Sequence, residues 1–365
     1  MRRSSRTVAT ADTFSLTRVS VHSGPVAIPI GVLYDFPQHD GGAGFEEAVR
    51  VGLGPAAEDV ELHPVEAIGL PSGTEMQLVA GFRELADAGV VAVIGPSISD
   101  NGVVIRDHAD VTGLACINYT GGAITRSAWM FHYQVGSLEE EPIVITEHLE
   151  RTGRRSAAVL YDASIVGEQY LAALLPAAAD RGIKIVAHAS VAATAEDLSA
   201  PIAQMRDAGP EALCYLGLGV AARAVALAVK DAGWSIPVVC NSALMFGYMR
   251  RDWREDWDGW VYVDTVADDN PQRVALKEIS PKSAAGPVGI AAYDIGRMLA
   301  VAINRADAPT RAGIRSGLER VKRLPATTGY AGTTMGFGVW DHAALKGGYL
   351  VLREWRDGRS VQLPL

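Results

Sequence analysis

Residues 155–162 read RSAAVLYD, residues 166–182 read VGEQYLAALLPAAADRG and residues 183–191 read IKIVAHASV. The outer two are short apolar runs of the kind that strands buried on both faces require. The middle segment is long, rich in alanine and closed by Gly182, a residue that accepts the left-handed conformation after a helix. Strand, helix and strand in this order predict a βαβ unit, and hence a parallel sheet covered by helices.

The alternation continues in both directions. Downstream come a helix AEDLSAPIAQMRDAG (195–209), a strand EALCYL (211–216), a helix AARAVALAVKDAG (221–233) and a strand IPVVCN (236–241). Upstream, VAIPIGVLYD (26–35), VELHPVEA (60–67), VVAVIGP (90–96) and GLACINY (113–119) read as strands, separated by helix patterns over 44–53, 74–89 and 99–111. Two such runs predict two similar doubly wound lobes. GPVGIAAYDIGRMLAVAINRAD (286–307) then reads as one helix and residues 333–359 as a hairpin. Neither can bury its own apolar face, so both are expected to complete the earlier lobes, with the chain passing between them more than once.

Composition narrows the function. The 365 residues are 48% hydrophobic and 21% charged, which is enough for two packed cores. A formal net charge of -9 argues against nucleic acid, and Arg250, Arg251 and Arg254 are interleaved with Asp252, Glu255 and Asp256. Cys116, Cys214 and Cys240 lie in apolar runs, as buried free thiols do, and no metal-ligand spacing accompanies them. No stretch of eighteen apolar residues occurs, so no membrane insertion is expected. Residues 1–25 read as a loosely ordered leader without the apolar core of a signal peptide. The expectation for the chain as it stands is a cytoplasmic location, or a periplasmic or extracellular one if the start lies upstream.

The ordered set IPIGVLYD, AVVAVIGPSIS, GLACINYTG, RSAAVLYDASIVGEQY, GIAAYDIGRMLAVAIN and GFGVWDHAALKGG resembles the type I periplasmic binding proteins. Within them it is most similar to the leucine/isoleucine/valine-binding and amide-sensing branch. The resemblance covers nearly the whole chain from residue 26. It implies a non-catalytic protein with two doubly wound α/β lobes, a ligand in the cleft between them and no cofactor. It also implies three hinge crossings, near Phe131–Gly136, Tyr262–Val266 and Thr328–Thr333. The lobes would then be 26–134 with 265–329, and 135–264 with 330–365.

Candidate ligand contacts follow at strand ends, where helix N-termini expose unpaired N–H groups. Ser99 begins a helix after VVAVIG and matches the family's serine; capping alone is the plainer reading. Thr120, Gly121 and Gly122 follow GLACINY, where the family binds ligand through backbone groups and a hydroxyl, and Tyr119 replaces a proline or small residue. Phe36 and His39 lie in the entry loop DFPQHDGGAG (35–44), although a lone His39–Asp40 pair more often faces solvent. In the second lobe Val166 stands in place of an aromatic residue. Asn241 and Ser242 stand where amino-acid binders carry the carboxylate that pairs an ammonium. Phe246 and Tyr248 follow as an apolar wall or ordinary loop packing.

GLGVAA (217–222) satisfies the dinucleotide fingerprint, but the acidic position at the end of the next strand is Asn241. Its glycines, Gly219 among them, are expected to let the loop face the cleft instead. The expected function is binding of a small, largely apolar molecule, a hydrophobic carboxylic acid or amide, as a solute-binding protein for an ABC permease. A cytosolic sensor acting on a regulatory partner is the alternative, and an NAD(P)-dependent oxidoreductase the alternative of another class.

Overall fold

The computed structural model describes residues 27–38 and 42–364; the expected leader, His39 and Asp40 lie outside the described residues. The first run forms β1 (Ile28–Tyr34), α1 (Ala43–Leu53), β2 (Val60–Glu66), α2 (Glu75–Asp87), β3 (Ala92–Ile94), α3 (Ser99–Thr112), β4 (Ala115–Asn118) and β5 (Met130–His132). Its parallel sheet has the order β2-β1-β3-β4-β5. The second run forms α4 (Glu141–Arg151), β6 (Ser156–Asp162), α5 (Ile165–Asp180), β7 (Lys184–Val191), α6 (Ser199–Asp207), β8 (Ala212–Leu216), α7 (Ala222–Asp231), β9 (Val238–Cys240) and β10 (Val261–Asp264). These strands pair as β7-β6-β8-β9-β10, so the two sheets repeat one topology. Such a sheet leaves a crevice at the carboxyl ends of its first and third strands.

The burial of each strand follows its place. Central β8 is buried throughout, whereas edge strand β7 is largely part-exposed. Edge strand β2 carries Pro64, which has no N–H to donate and is tolerated only where a ladder ends. Gly182, Gly209 and Gly233 take φ of 65°, 65° and 58°, as their reading as helix stops requires.

The remaining elements are α8 (Pro271–Ile279), α9 (Pro287–Arg305), α10 (Arg311–Glu319), β11 (Leu324–Pro325), β12 (Thr334–Met335), β13 (Leu345–Lys346), β14 (Val351–Arg356) and β15 (Arg359–Gln362). Helices α9 and α10 bury Ile295, Met298, Ile314 and Leu318 with Ile30 and Phe131 in the first-lobe core. The expected single hairpin is instead two structures. Strands β11-β12-β13 make a small sheet of their own, and β14-β15 extend the second sheet beyond β10. Met335, Phe337, Ala344 and Leu345 pack in the first-lobe core. Residues 334–346, expected in the second lobe, therefore belong by packing to the first, and the last passage into the second sheet falls between Lys346 and Val351. The reason is apolar: Phe337 meets Phe131 edge-on at 4.9 Å, and His342 stacks on the same ring at 4.0 Å.

The connections between sheets are cross-braced. Tyr133 Oη, just past β5, donates to buried Asp294 on α9 at 3.0 Å and lies 2.6 Å from Thr328 Oγ1. Asp294 also accepts from Thr327 N–H at 2.8 Å. No helix among the described residues is long and apolar enough to cross a membrane.

Candidate functional site

Each lobe builds its half of the cleft with the same device. Val32-Leu33-Tyr34-Asp35 ends β1, and Val159-Leu160-Tyr161-Asp162 ends β6. Asp35 is fully buried and accepts from Ser97 N–H at 2.7 Å, Ser97 Oγ at 2.7 Å, Ile98 N–H at 3.0 Å and Asn101 Nδ2 at 2.9 Å. It thereby pins the loop after β3, out of which α3 starts. Asp162 does the same for the loop after β8, accepting from Leu218 N–H at 2.7 Å and Tyr215 Oη at 2.8 Å. Burial raises both carboxyl pKa values, Asp162 to about 6. These two aspartates were missed in the sequence, where the repeated VLYD was the available signal.

The two halves face each other across a cavity of about 150 Å³. The first lobe contributes Phe36–Gln38, Ser97–Ser99, Tyr119, Gly121 and, from the start of α9, Pro287 and Val288. The second contributes Val166, Tyr170, Gly217, Leu218, Asn241, Ser242, Met245, Phe246 and Met249, with Val135 and Leu138 from the connection between them. No Asp, Glu, Lys or Arg side chain lines it among the described residues. The lobes touch across it: Phe36 meets Phe246 edge-on at 5.7 Å, and Asp100 Oδ1 accepts from Val166 N–H at 3.2 Å. This is a closed arrangement.

The cavity's polar groups are mostly engaged already. Asn241 Oδ1 accepts from Gly217 N–H at 3.1 Å while its Nδ2 donates to Gly217 O at 2.8 Å. Behind Ser242 lies Glu141, fully buried, accepting from Ser242 N–H and Ser137 N–H at 2.6 Å each and from Tyr170 Oη at 2.9 Å. Burial pushes Glu141 up to about 7 against these four donors, the fourth being Ser242 Oγ at 3.1 Å.

Two α/β lobes in contact around a cavity lined mainly by apolar side chains suit solute capture. A family model described as periplasmic binding protein matches residues 27–355. The chain belongs to that family. Among solved structures, an extracellular ligand-binding receptor from Rhodopseudomonas palustris HaA2 is 18% identical, with a TM-score of 0.78 over 93% of this chain and 100% of its own. A leucine-binding protein, LivK, from Thermotoga maritima MSB8 is 13% identical, with a TM-score of 0.78 over 93% and 98%. An ABC transporter substrate-binding protein from Desulfitobacterium hafniense, in complex with Leu, is 19% identical, with a TM-score of 0.74 over 92% and 100%. At these identities the likeness establishes the fold. A search of curated protein sequences finds no match. As a periplasmic binding protein the chain is a non-catalytic solute-binding protein, of a family that is typically periplasmic.

Within this binding protein the structure brings Phe36, Ser99, Tyr119, Val166, Asn241, Ser242 and Phe246 to the cavity. Thr120, Gly122 and Gly219 are not on it. Thr120 is buried and spends its hydroxyl on Asn118 Oδ1 at 2.9 Å, since the turn needs that bond to hold its shape. Gly122 sits behind Ser99, to whose Oγ it donates at 3.1 Å. Gly219 has φ 104°, and a Cβ there would lie 2.3 Å from Ala243 O, so it serves close packing of the loop. Tyr248 also turns away, donating to Asp264 Oδ2 at 2.7 Å. Tyr170, Leu138, Met245 and Val288 line the cavity without having been singled out, because helix and turn residues of these types carry no local signal of facing a cleft.

The GLGVAA segment does form a strand–turn–helix, but its anion-binding capacity is taken. A carboxylate, Asp162, already holds Leu218 N–H, and a Cβ on Gly217 would sit 2.3 Å from Asp162 Cγ. A pyrophosphate would meet negative charge there, which is the physical reason the dinucleotide reading fails.

His132 gives the fold a pH dependence. Its Nδ1 accepts from Arg126 Nε at 3.0 Å and its Nε2 lies 2.8 Å from Thr120 O, so the ring is held neutral. Burial and the Arg126 charge push its pKa down to about 3. The unfolded ring takes up a proton near 6.5 and the folded one does not, so stability contributed above 6.5 is lost as pH falls towards about 3. Glu141 and Asp162 act oppositely: raised folded values mean the native state binds their protons first, so acidification from about 7 adds stability. His132→Gln keeps an acceptor and a donor but no charge. Its thermal midpoint should therefore rise more between about pH 7.5 and 5 than the parent's does; identical profiles would show that His132 does not titrate on unfolding.

Proposed function

We propose that this protein captures a small, largely apolar molecule carrying a carbonyl group, a hydrophobic carboxylic acid or amide, and delivers it to an ABC permease. The observation that carries this reading is that no Asp, Glu, Lys or Arg side chain lines the cavity among the described residues. A ligand ammonium would need a counter-charge in contact, and desolvating it without one costs several kcal/mol. Asn241 and Ser242 supply none. Aromatic and aliphatic groups (Phe36, Phe246, Val166, Met245) supply most of the contact instead. The volume is of the order that admits a benzene-sized group. Family membership favours a periplasmic location, where a permease would receive the ligand.

Native mass spectrometry of the purified protein tests this. A co-purified neutral or acidic organic molecule is expected, released on unfolding. Recovery of a free amino acid or a nucleotide would overturn the reading.

A further inference from the structure

Two serines in the walls of the cavity have spent their hydrogen-bonding capacity in opposite ways. On the first lobe, Ser99 Oγ accepts from Gly121 N–H at 3.2 Å and Gly122 N–H at 3.1 Å. Those bonds use the oxygen's lone pairs, so what remains for the cavity is the hydroxyl proton. Ser99 is 6% exposed, and its residual donor faces a space with few other partners. On the second lobe, Ser242 Oγ donates to Glu141 Oε1 at 3.1 Å, and the backbone N–H of Ser242 holds Glu141 Oε2 at 2.6 Å. The proton of Ser242 is committed, so its lone pairs are what remain. Tyr170 beside it commits its proton to the same carboxylate at 2.9 Å. Glu141 does not line the cavity; it fixes which way these hydroxyls point.

Resting on the proposed function above, we infer that the cleft selects ligands that combine a carbonyl oxygen with an N–H donor, a hydrophobic carboxamide, over the ester or carboxylate of the same skeleton. Ser99 donates to the carbonyl oxygen and Ser242 accepts from the N–H. An ester sets an oxygen against the Ser242 lone pairs and leaves them unpaired. A carboxylate sets a second oxygen, not an N–H, against the Ser242 lone pairs and meets no Lys or Arg in the lining among the described residues. Ser242 is thus the residue that separates these classes.

The test is calorimetric titration of the full chain with 4-methylpentanamide, its N,N-dimethyl derivative, methyl 4-methylpentanoate and 4-methylpentanoate. The primary amide should bind about ten-fold or more tightly than the other three, the value of one hydrogen bond. Ser242→Ala should bring the amide-to-ester ratio to about one, whereas Ser99→Ala should weaken amide and ester together. Equal affinity of amide and ester for the parent would overturn the inference and leave an apolar carbonyl ligand standing. An amide preference that survives Ser242→Ala would remove Ser242 from the role. Binding by none of the four would overturn both the inference and the function on which it rests. Should Ser242→Ala not fold, the parent's four affinities decide alone.

Discussion

Gly52→Val should unfold the protein or lower its thermal midpoint by about 10 °C or more. Gly52 lies in α1 where α9 crosses it, and an added Cβ would lie 2.0 Å from Tyr293 O and 3.1 Å from Arg297 N. Both are backbone atoms, so no rotamer change relieves the clash. The approach is mutual: a Cβ on Gly296 of α9 would lie 2.3 Å from Val49 O. The helices must separate, which opens the packing of Ile295, Met298 and Leu299 against β1. It would also displace Pro287 and Val288, which carry one wall of the cavity. Thermal melts read the effect, and a midpoint within about 2 °C of the parent's would mean that the helices have room the structure denies them.

Val288→Trp should abolish ligand binding, by a hundred-fold or more, while leaving the fold intact. Val288 is part-buried in the first turn of α9, with its side chain on the cavity. An indole there takes up a large share of a space of about 150 Å³ without adding charge. The first turn of α9 follows Gly286 and starts on Pro287, so the backbone tolerates a change of side chain. Titration with the co-purified ligand, beside a thermal melt of the variant, separates lost binding from lost stability. Undiminished binding in a folded variant would place the ligand elsewhere.

The architecture was legible because it repeats. Two runs of buried strand and glycine-stopped helix can hardly form anything but doubly wound sheets, and the eight strands read in those runs fall within two residues of their observed bounds. The late segment was less legible. Residues 333–359 alternate like one hairpin, yet Phe337 and Leu345 find partners in the first lobe and Trp355 in the second, a division that only tertiary packing sets. The site was legible in outline. Strand ends told where to look, and the missing acid at Asn241 and Ser242 was visible. Which hydroxyls face the cavity was not, because that depends on what each already binds: Thr120 is consumed by Asn118, and Ser242 is oriented by Glu141, a hundred residues away in the chain. Asp35 and Asp162 show the converse, a functional-looking pair of acids whose oxygens are spent on shaping loops.

The central claim is that a cavity with no charged side chain in its lining among the described residues takes apolar carbonyl compounds and rejects free amino acids. It is tested most directly by a thermal-shift panel that sets leucine, isoleucine and valine beside the hydrophobic acids and amides that lack their ammonium group. Midpoint increases with the amides or acids, and none with the three amino acids, are the predicted result. Increases with the amino acids alone would contradict it, and would show that a counter-charge reaches the ligand from a residue the cavity lining does not include.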